Sequence, residues 1–157
     1  MEEVHGHPEV ESADRFYRCS HDAMATTFGL VISGEEENYA GDVCNECWEE
    51  VDRVEQELSS YVSFSDISRL NRLENGQREK IGPIAFKCLK EARELYEASG
   101  GAFDVTMASA GKAGADTPFP IELDEASHMA GPTEEGVSID LGGIGKGFCL
   151  DWVSRVL

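Results

Sequence analysis

The chain has 157 residues, 41% of them hydrophobic, which suits one domain with a real core, or two only if both are small. Its 31 Asp and Glu against 13 Lys and Arg give a formal net charge of −18. That balance excludes a nucleic-acid platform and an anionic membrane surface as partners, and leaves room only for a local cationic spot that holds an anionic ligand.

Residues 1–15, "MEEVHGHPEVESADR", are charged and without periodicity, and lack the basic start and apolar middle of a signal peptide. They are expected to form a loose acidic tail ahead of a folded domain over 16–157. No apolar run approaches the roughly 18 residues of a membrane span, so the cytoplasm is the expected location. The five cysteines, Cys19, Cys44, Cys47, Cys88 and Cys149, are odd in number and unevenly spaced, which argues against a disulfide framework.

"FYRC" and "AMATTFGLVIS" read as two short strands or one broken strand, from their β-branched and aromatic content. After "GEEENYAGD" comes the clearest helix, with Val43, Cys47, Val51, Val54 and Leu58 on one stripe and a firm start after Gly41. In "SSYVSFSDISRLNRLENG", Ser65 predicts an N-cap for a short turn carrying Ile67 and Leu70, closed by Asn75-Gly76. A second helix opens near Pro83, buries Ile84, Cys88, Leu89, Ala92, Leu95 and Tyr96, and stops at Gly100. "AFDVTM" predicts a short strand, and 108–134 a long loop in which only "FPIEL" alternates. "GVSIDL" predicts a strand, followed by a glycine bend and a helix holding Phe148, Trp152 and Val153. The fold class is therefore α+β or α/β. The last helix is expected to be unfinished at Leu157, with little apolar face to dock, as in a fragment.

The bend "GGIGKG", 142–147, carries the strongest chemical signal. Its glycines permit positive φ or close approach of another group, and a strand–bend–helix passage offers N–H groups and a positive helix end to phosphate. Lys146 adds a cation. Gly147 stands where a P-loop needs Ser or Thr, and the spacing is not that of a dinucleotide fingerprint. Anion binding and tight backbone packing both remain open. Asp140, just before the bend, either braces its own glycine turn or meets a polar ligand edge. In "GGAFDVT", Phe103 is a core or stacking residue, and Asp104 and Thr106 would share one strand face.

Cys44-x-x-Cys47 invites a zinc or redox reading, but no second cysteine pair follows. Glu46, Glu49 and Glu50 would oppose a thiolate, so neither chemistry is expected. His5 and His7 lie in the tail, and His21 and His128 read as surface residues. No Ser-His-Asp set can be assembled by position.

Four stretches in order, "AMATTF" (23–28), "LSSYVSFSDISRLN" (58–71), "SGGAFDVT" (99–106) and "VSIDLGGIGKGFCLD" (137–151), resemble the ApbE family of flavin transferases. The resemblance implies a T-fold-like mixed α/β domain matching only the family's N-terminal half. It implies a magnesium-dependent FAD:protein FMN transferase, which moves FMN from FAD to a threonine of an acceptor protein and releases AMP. By this resemblance Met24 and Tyr61 would lie against the flavin or its linker. Gly101, Ala102, Phe103, Asp104 and Thr106 would line the nucleotide cleft. Asp140, Gly143 and Lys146 would hold the ribityl, pyrophosphate or adenine portion. The catalytic group stays unassigned. The chain departs from the family pattern at Ala25, where the family has glycine, in the interval after Thr106, where "MASAGKAG" replaces a Pro-Leu-Trp element, and in lacking counterparts of the C-terminal metal-site Asp and Thr. The alternative implied by those departures is an inactive flavin-binding or protein-interaction homologue.

Overall fold

The computed structural model describes residues 16–34, 36–106 and 118–157; the expected tail and the stretch 107–117 lie outside the described residues. Along the chain run β1 (Phe16–Ala23), β2 (Thr26–Ser33), α1 (Glu37–Leu58), α2 (Asp66–Leu70), β3 (Glu79–Lys80), α3 (Pro83–Ala98), β4 (Ile121–Asp124), β5 (Met129–Pro132) and α4 (Gly145–Val153). The fold is mixed α/β, as the sequence predicts. The broken strand is a β1–β2 antiparallel hairpin, with Ala23 opposite Thr26 and the reversal at Met24–Ala25. The other sheet is β3–β5–β4, antiparallel throughout.

Helix α1 buries Cys47, Val51, Val54 and Leu58 as the stripe predicts. It starts earlier than expected, because burial of Ala40 in the first turn outweighs the modest cost of Gly41. Ser65 caps α2, its Oγ accepting the Ser68 N–H at 2.9 Å. Helix α3 opens with Pro83 after Gly82, which has no side chain to serve as a cap. Two acids from other elements take that role: Glu57 accepts the Ala85 N–H at 3.0 Å and Asp66 the Gly82 N–H at 2.6 Å. A Cβ at Gly82 would run into the Glu57 carboxylate and displace it from the Ala85 N–H it caps. At its other end, Gly101 donates to the Tyr96 carbonyl at 2.8 Å and Gly100 to that of Glu97 at 3.2 Å, a Schellman closure with both glycines at positive φ. Leu95, expected inside, is 45% exposed on the outer side of α3.

Several expectations are corrected. Residues 101–106 form a turn rather than a strand, and "GVSIDL" joins neither sheet, with Gly136 in a turn at positive φ. Ile139 and Leu141 are buried and Asp140 exposed, as alternation requires. The Ile139 backbone is satisfied by the Asn71 amide, which accepts its N–H at 2.7 Å and donates to its carbonyl at 3.0 Å. The Asp140 N–H goes to Val105 O at 2.8 Å. The region expected as a loop contains β4 and β5. His128, expected in solvent, stacks on Phe86 with ring centroids 4.8 Å apart. Helix α4 does dock: Phe148, Cys149 and Val153 are buried, and Trp152 Nε1 donates to Glu50 of α1 at 2.9 Å. Finally, Cys19 of β1 and Cys44 of α1 form a disulfide, whereas Cys47, Cys88 and Cys149 are buried thiols. Cysteine counting misses this bond because it depends on the hairpin lying along α1.

Candidate functional site

A cleft of about 520 Å³ opens between the β1–β2 turn, the end of α1 with its following serine bend, and the glycine bend with the first turn of α4. Its volume lies in the usual range of small-molecule sites. Each wall has a distinct local cause.

The first wall is the hairpin turn. Met24 and Ala25 take φ of 50° and 56°, so both central residues are left-handed, as a two-residue turn needs to match the twist of its strands. Neither residue favours that conformation. Glu55 of α1 fixes the turn, its Oε1 accepting the Met24 N–H at 2.7 Å. The second wall is the serine bend. Ser65 and Ser68 are buried, and their hydroxyls donate to the carbonyl of Ser59, at 2.5 and 3.3 Å; that of Ser68 also donates to Ser60 O at 3.0 Å. From this tied backbone Tyr61 stands 94% exposed, an aromatic face available to stack on a planar ligand.

The third wall is the glycine bend, and its glycines serve close approach rather than unusual backbone. Among the described residues the positive-φ glycines are Gly34, Gly76, Gly100, Gly101 and Gly136, none of them in the bend. A Cβ on Gly145 would stand 3.1 Å from Met24 Cε, and one on Gly143 would stand 3.4 Å from Phe103 Cε2. The bend thus brings the turn, the Phe103 ring and α4 together. Three of its N–H groups are engaged locally: Ile144 and Gly145 donate to Leu141 O at 3.0 and 2.7 Å, and Gly142 to Asp140 Oδ1 at 2.8 Å. Asp140 therefore braces the turn. The exposed Lys146, with the carboxylates of Glu55 and Asp140, gives the cleft its charge.

Of the residues singled out from the sequence, Met24, Tyr61, Asp140 and Lys146 line this cleft. Gly143 and Phe103 meet beside it. Gly101, Ala102, Asp104 and Thr106 are not among its lining residues. Asp104 Oδ1 instead accepts both the N–H and the hydroxyl of Thr106, each at 2.7 Å, which accounts for a threonine buried completely. The bond from Asp140 to Val105 nevertheless joins the two motifs on one side of the molecule. Sequence reasoning missed Glu55, Ser59 and Ser60 as lining residues, and Asn71 as the clamp beneath them. The only available signals were a charge at the edge of the α1 stripe and the asparagine closing "SDISRLN". No group of three or more His, Cys, Asp or Glu among the described residues is arranged to hold a metal.

The sequence pattern of the ApbE family matches residues 24–157. The chain belongs to the ApbE family. Solved structures agree on the fold. The ApbE protein of Thermotoga maritima superposes with a TM-score of 0.75 at 20% identity, covering 90% of this chain and 52% of that one. Flavin transferase ApbE from Vibrio cholerae gives 0.76 at 18%, covering 91% and 53%. The flavinyl transferase ApbE of Pseudomonas stutzeri gives 0.74 at 19%, covering 91% and 50%. This ApbE-family chain thus spans about half the length of those relatives. No curated protein sequence matches it. No helix among the described residues is long and apolar enough to cross a membrane.

Proposed function

We propose that this chain is the flavin-nucleotide-holding portion of a magnesium-dependent FAD:protein FMN transferase, which attaches FMN from FAD to a threonine of an acceptor flavoprotein and releases AMP. The observation that carries the reading is the convergence of Met24, Tyr61, Asp140 and Lys146 on one cleft in an ApbE-family fold. Tyr61 and Met24 offer an apolar, aromatic surface suited to a flavin ring. Lys146 sits where a pyrophosphate would need a cation. Gly101, Ala102, Phe103, Asp104, Thr106 and Gly143 would extend the nucleotide-binding surface beside this cleft: the Asp104–Thr106 bonds order the segment whose Val105 carbonyl accepts the Asp140 N–H. In the reaction the acceptor hydroxyl would attack the FMN-side phosphorus as the bond to AMP breaks, and the hydroxyl proton would pass to a base. The described residues assign no such base. They also do not fit a magnesium site, since a hard cation takes about six oxygen ligands and no cluster of three candidate ligands is present among them. That mismatch favours a second reading, an inactive homologue that binds flavin or a protein partner. Cytoplasmic placement and a folded unit over 16–157 belong to the same proposal.

Incubation with FAD, magnesium and a threonine-bearing acceptor separates the two readings. Covalent flavin on the acceptor with stoichiometric AMP supports transfer. Flavin binding without either product leaves the binding homologue and removes catalysis by this chain.

A further inference from the structure

The β1–β2 hairpin is the least supported wall of the cleft. Its sheet is two-stranded and most of its residues are exposed or half-exposed, and an isolated hairpin of that kind is marginal in water. Besides the buried Ala23 and Phe28, a ladder of ties to α1 holds it. Cys19 bonds to Cys44, His21 stacks on Trp48 at 5.4 Å and meets Asp52 at 2.6 Å, and the Met24 N–H reaches Glu55 at 2.7 Å. Residues 44, 48, 52 and 55 follow one face of the helix, and 19 and 21 one face of the strand. The spans match: from 44 to 55 a helix rises about 16 Å, and from 19 to 24 a strand rises about 17 Å. The covalent rung is at one end of this ladder and the cleft at the other.

We propose that Cys19–Cys44 is a thiol-exchange site whose redox state sets the order of the Met24–Ala25 turn, and through it the affinity of the cleft. The reductant is a dithiol. One of its thiolates attacks Cys19 Sγ, the half-exposed partner; Cys44 leaves as thiolate and takes a proton. The second thiolate then displaces Cys19 from the mixed disulfide, giving two protein thiols and an oxidised dithiol. The other cysteines do not compete: all three are buried, and burial pushes the Cys88 thiol up to about 12 and that of Cys149 to about 11. Reduction removes the loop closure between Cys19 and Cys44, 25 residues apart, and leaves the hairpin on its non-covalent rungs.

The test compares the full chain oxidised, reduced with dithiothreitol, and as the Cys19→Ser/Cys44→Ser double variant. Native alkylation is expected to label no cysteine in the oxidised protein and Cys19 after reduction, with Cys44, buried beneath the hairpin, labelled more slowly as the hairpin loosens. Hydrogen exchange at the Met24 amide is expected to accelerate at least about tenfold on reduction and in the double variant, with α1 and α3 core amides unchanged. FAD affinity, which rests on the proposed function, is expected to fall several-fold. Native labelling of Cys19 or Cys44 in the oxidised protein, an unchanged Met24 amide, or equal FAD affinity in both redox states would each overturn the proposal. If FAD binds in neither state, the proposed function fails and the Met24 amide alone decides whether the disulfide orders the turn.

Discussion

Ala25 occupies a backbone conformation that glycine would adopt without penalty. Its φ is 56°, next to Met24 at 50°, and its Cβ lies in the left-handed region that costs an L-residue roughly 1–2 kcal/mol. Replacing it with glycine removes that strain, while the greater freedom of glycine in the unfolded chain takes back about 0.5–1 kcal/mol. Ala25→Gly should therefore stabilise the protein by about 0.5–1 kcal/mol. At roughly 2–4 °C per kcal/mol for a chain of this size, Tm rises by about 1–4 °C. Ala25→Val should move the other way by at least about 1 kcal/mol, since a β-branched side chain is worse at positive φ. Thermal unfolding by circular dichroism and urea midpoints measure both. A lower Tm for the glycine variant together with a tolerated valine would refute the left-handed turn, and with it the account of this wall.

The clamp at Asn71 supplies both hydrogen bonds to Ile139, a residue 68 positions away, so Asn71→Ala should cost about 2–3 kcal/mol from lost bonds and an unsatisfied backbone. A urea midpoint within experimental error of the parent protein would contradict it. Glu57 predicts a pH effect. Desolvation, partly opposed by the Ala85 N–H, raises its carboxyl above the ordinary value, so the folded state holds its proton more tightly than the unfolded chain does. Its contribution to stability therefore declines as pH rises from about 4.3 through the raised folded value, and is constant above that. Stability of Glu57→Gln measured by urea at stepped pH should lack that decline, and parallel profiles for the two proteins would refute the assignment.

The helices α1 and α3 were legible because their apolar residues repeat with the helical period, and Pro83 and Gly100 mark the two ends of α3 chemically. The turn at Met24–Ala25 was not legible, since neither residue advertises positive φ. Its conformation is imposed by Ala23–Thr26 pairing and by Glu55 from another element. "GVSIDL" alternates and is half-buried like a strand, yet its partner is a side-chain amide, which no periodicity reveals. Strands β3 and β5 are short, and β5 contains Gly131 and Pro132, residues that argue against a strand until tertiary packing is known. At Gly131 the packing is close enough that a Cβ would strike the Gln77 carbonyl. In the candidate site, Lys146 and Asp140 stood out from the glycine pattern. What that pattern hid was its purpose: the glycines admit Met24 and Phe103, and the bend satisfies several of its own donors.

The central claim is that a flavin nucleotide rests in this cleft with its phosphates beside Lys146. Titration of the protein with FAD and with riboflavin, followed by flavin fluorescence, tests it most directly when repeated on Lys146→Ala, an exposed position where folding is not at stake. FAD should bind the parent protein at least about tenfold more tightly than riboflavin, consistent with a charge-assisted contact of about 1.5–3 kcal/mol, and the variant should lose most of that difference. FAD that leaves both flavin and protein signals unchanged, or binds the two proteins equally, would contradict the account.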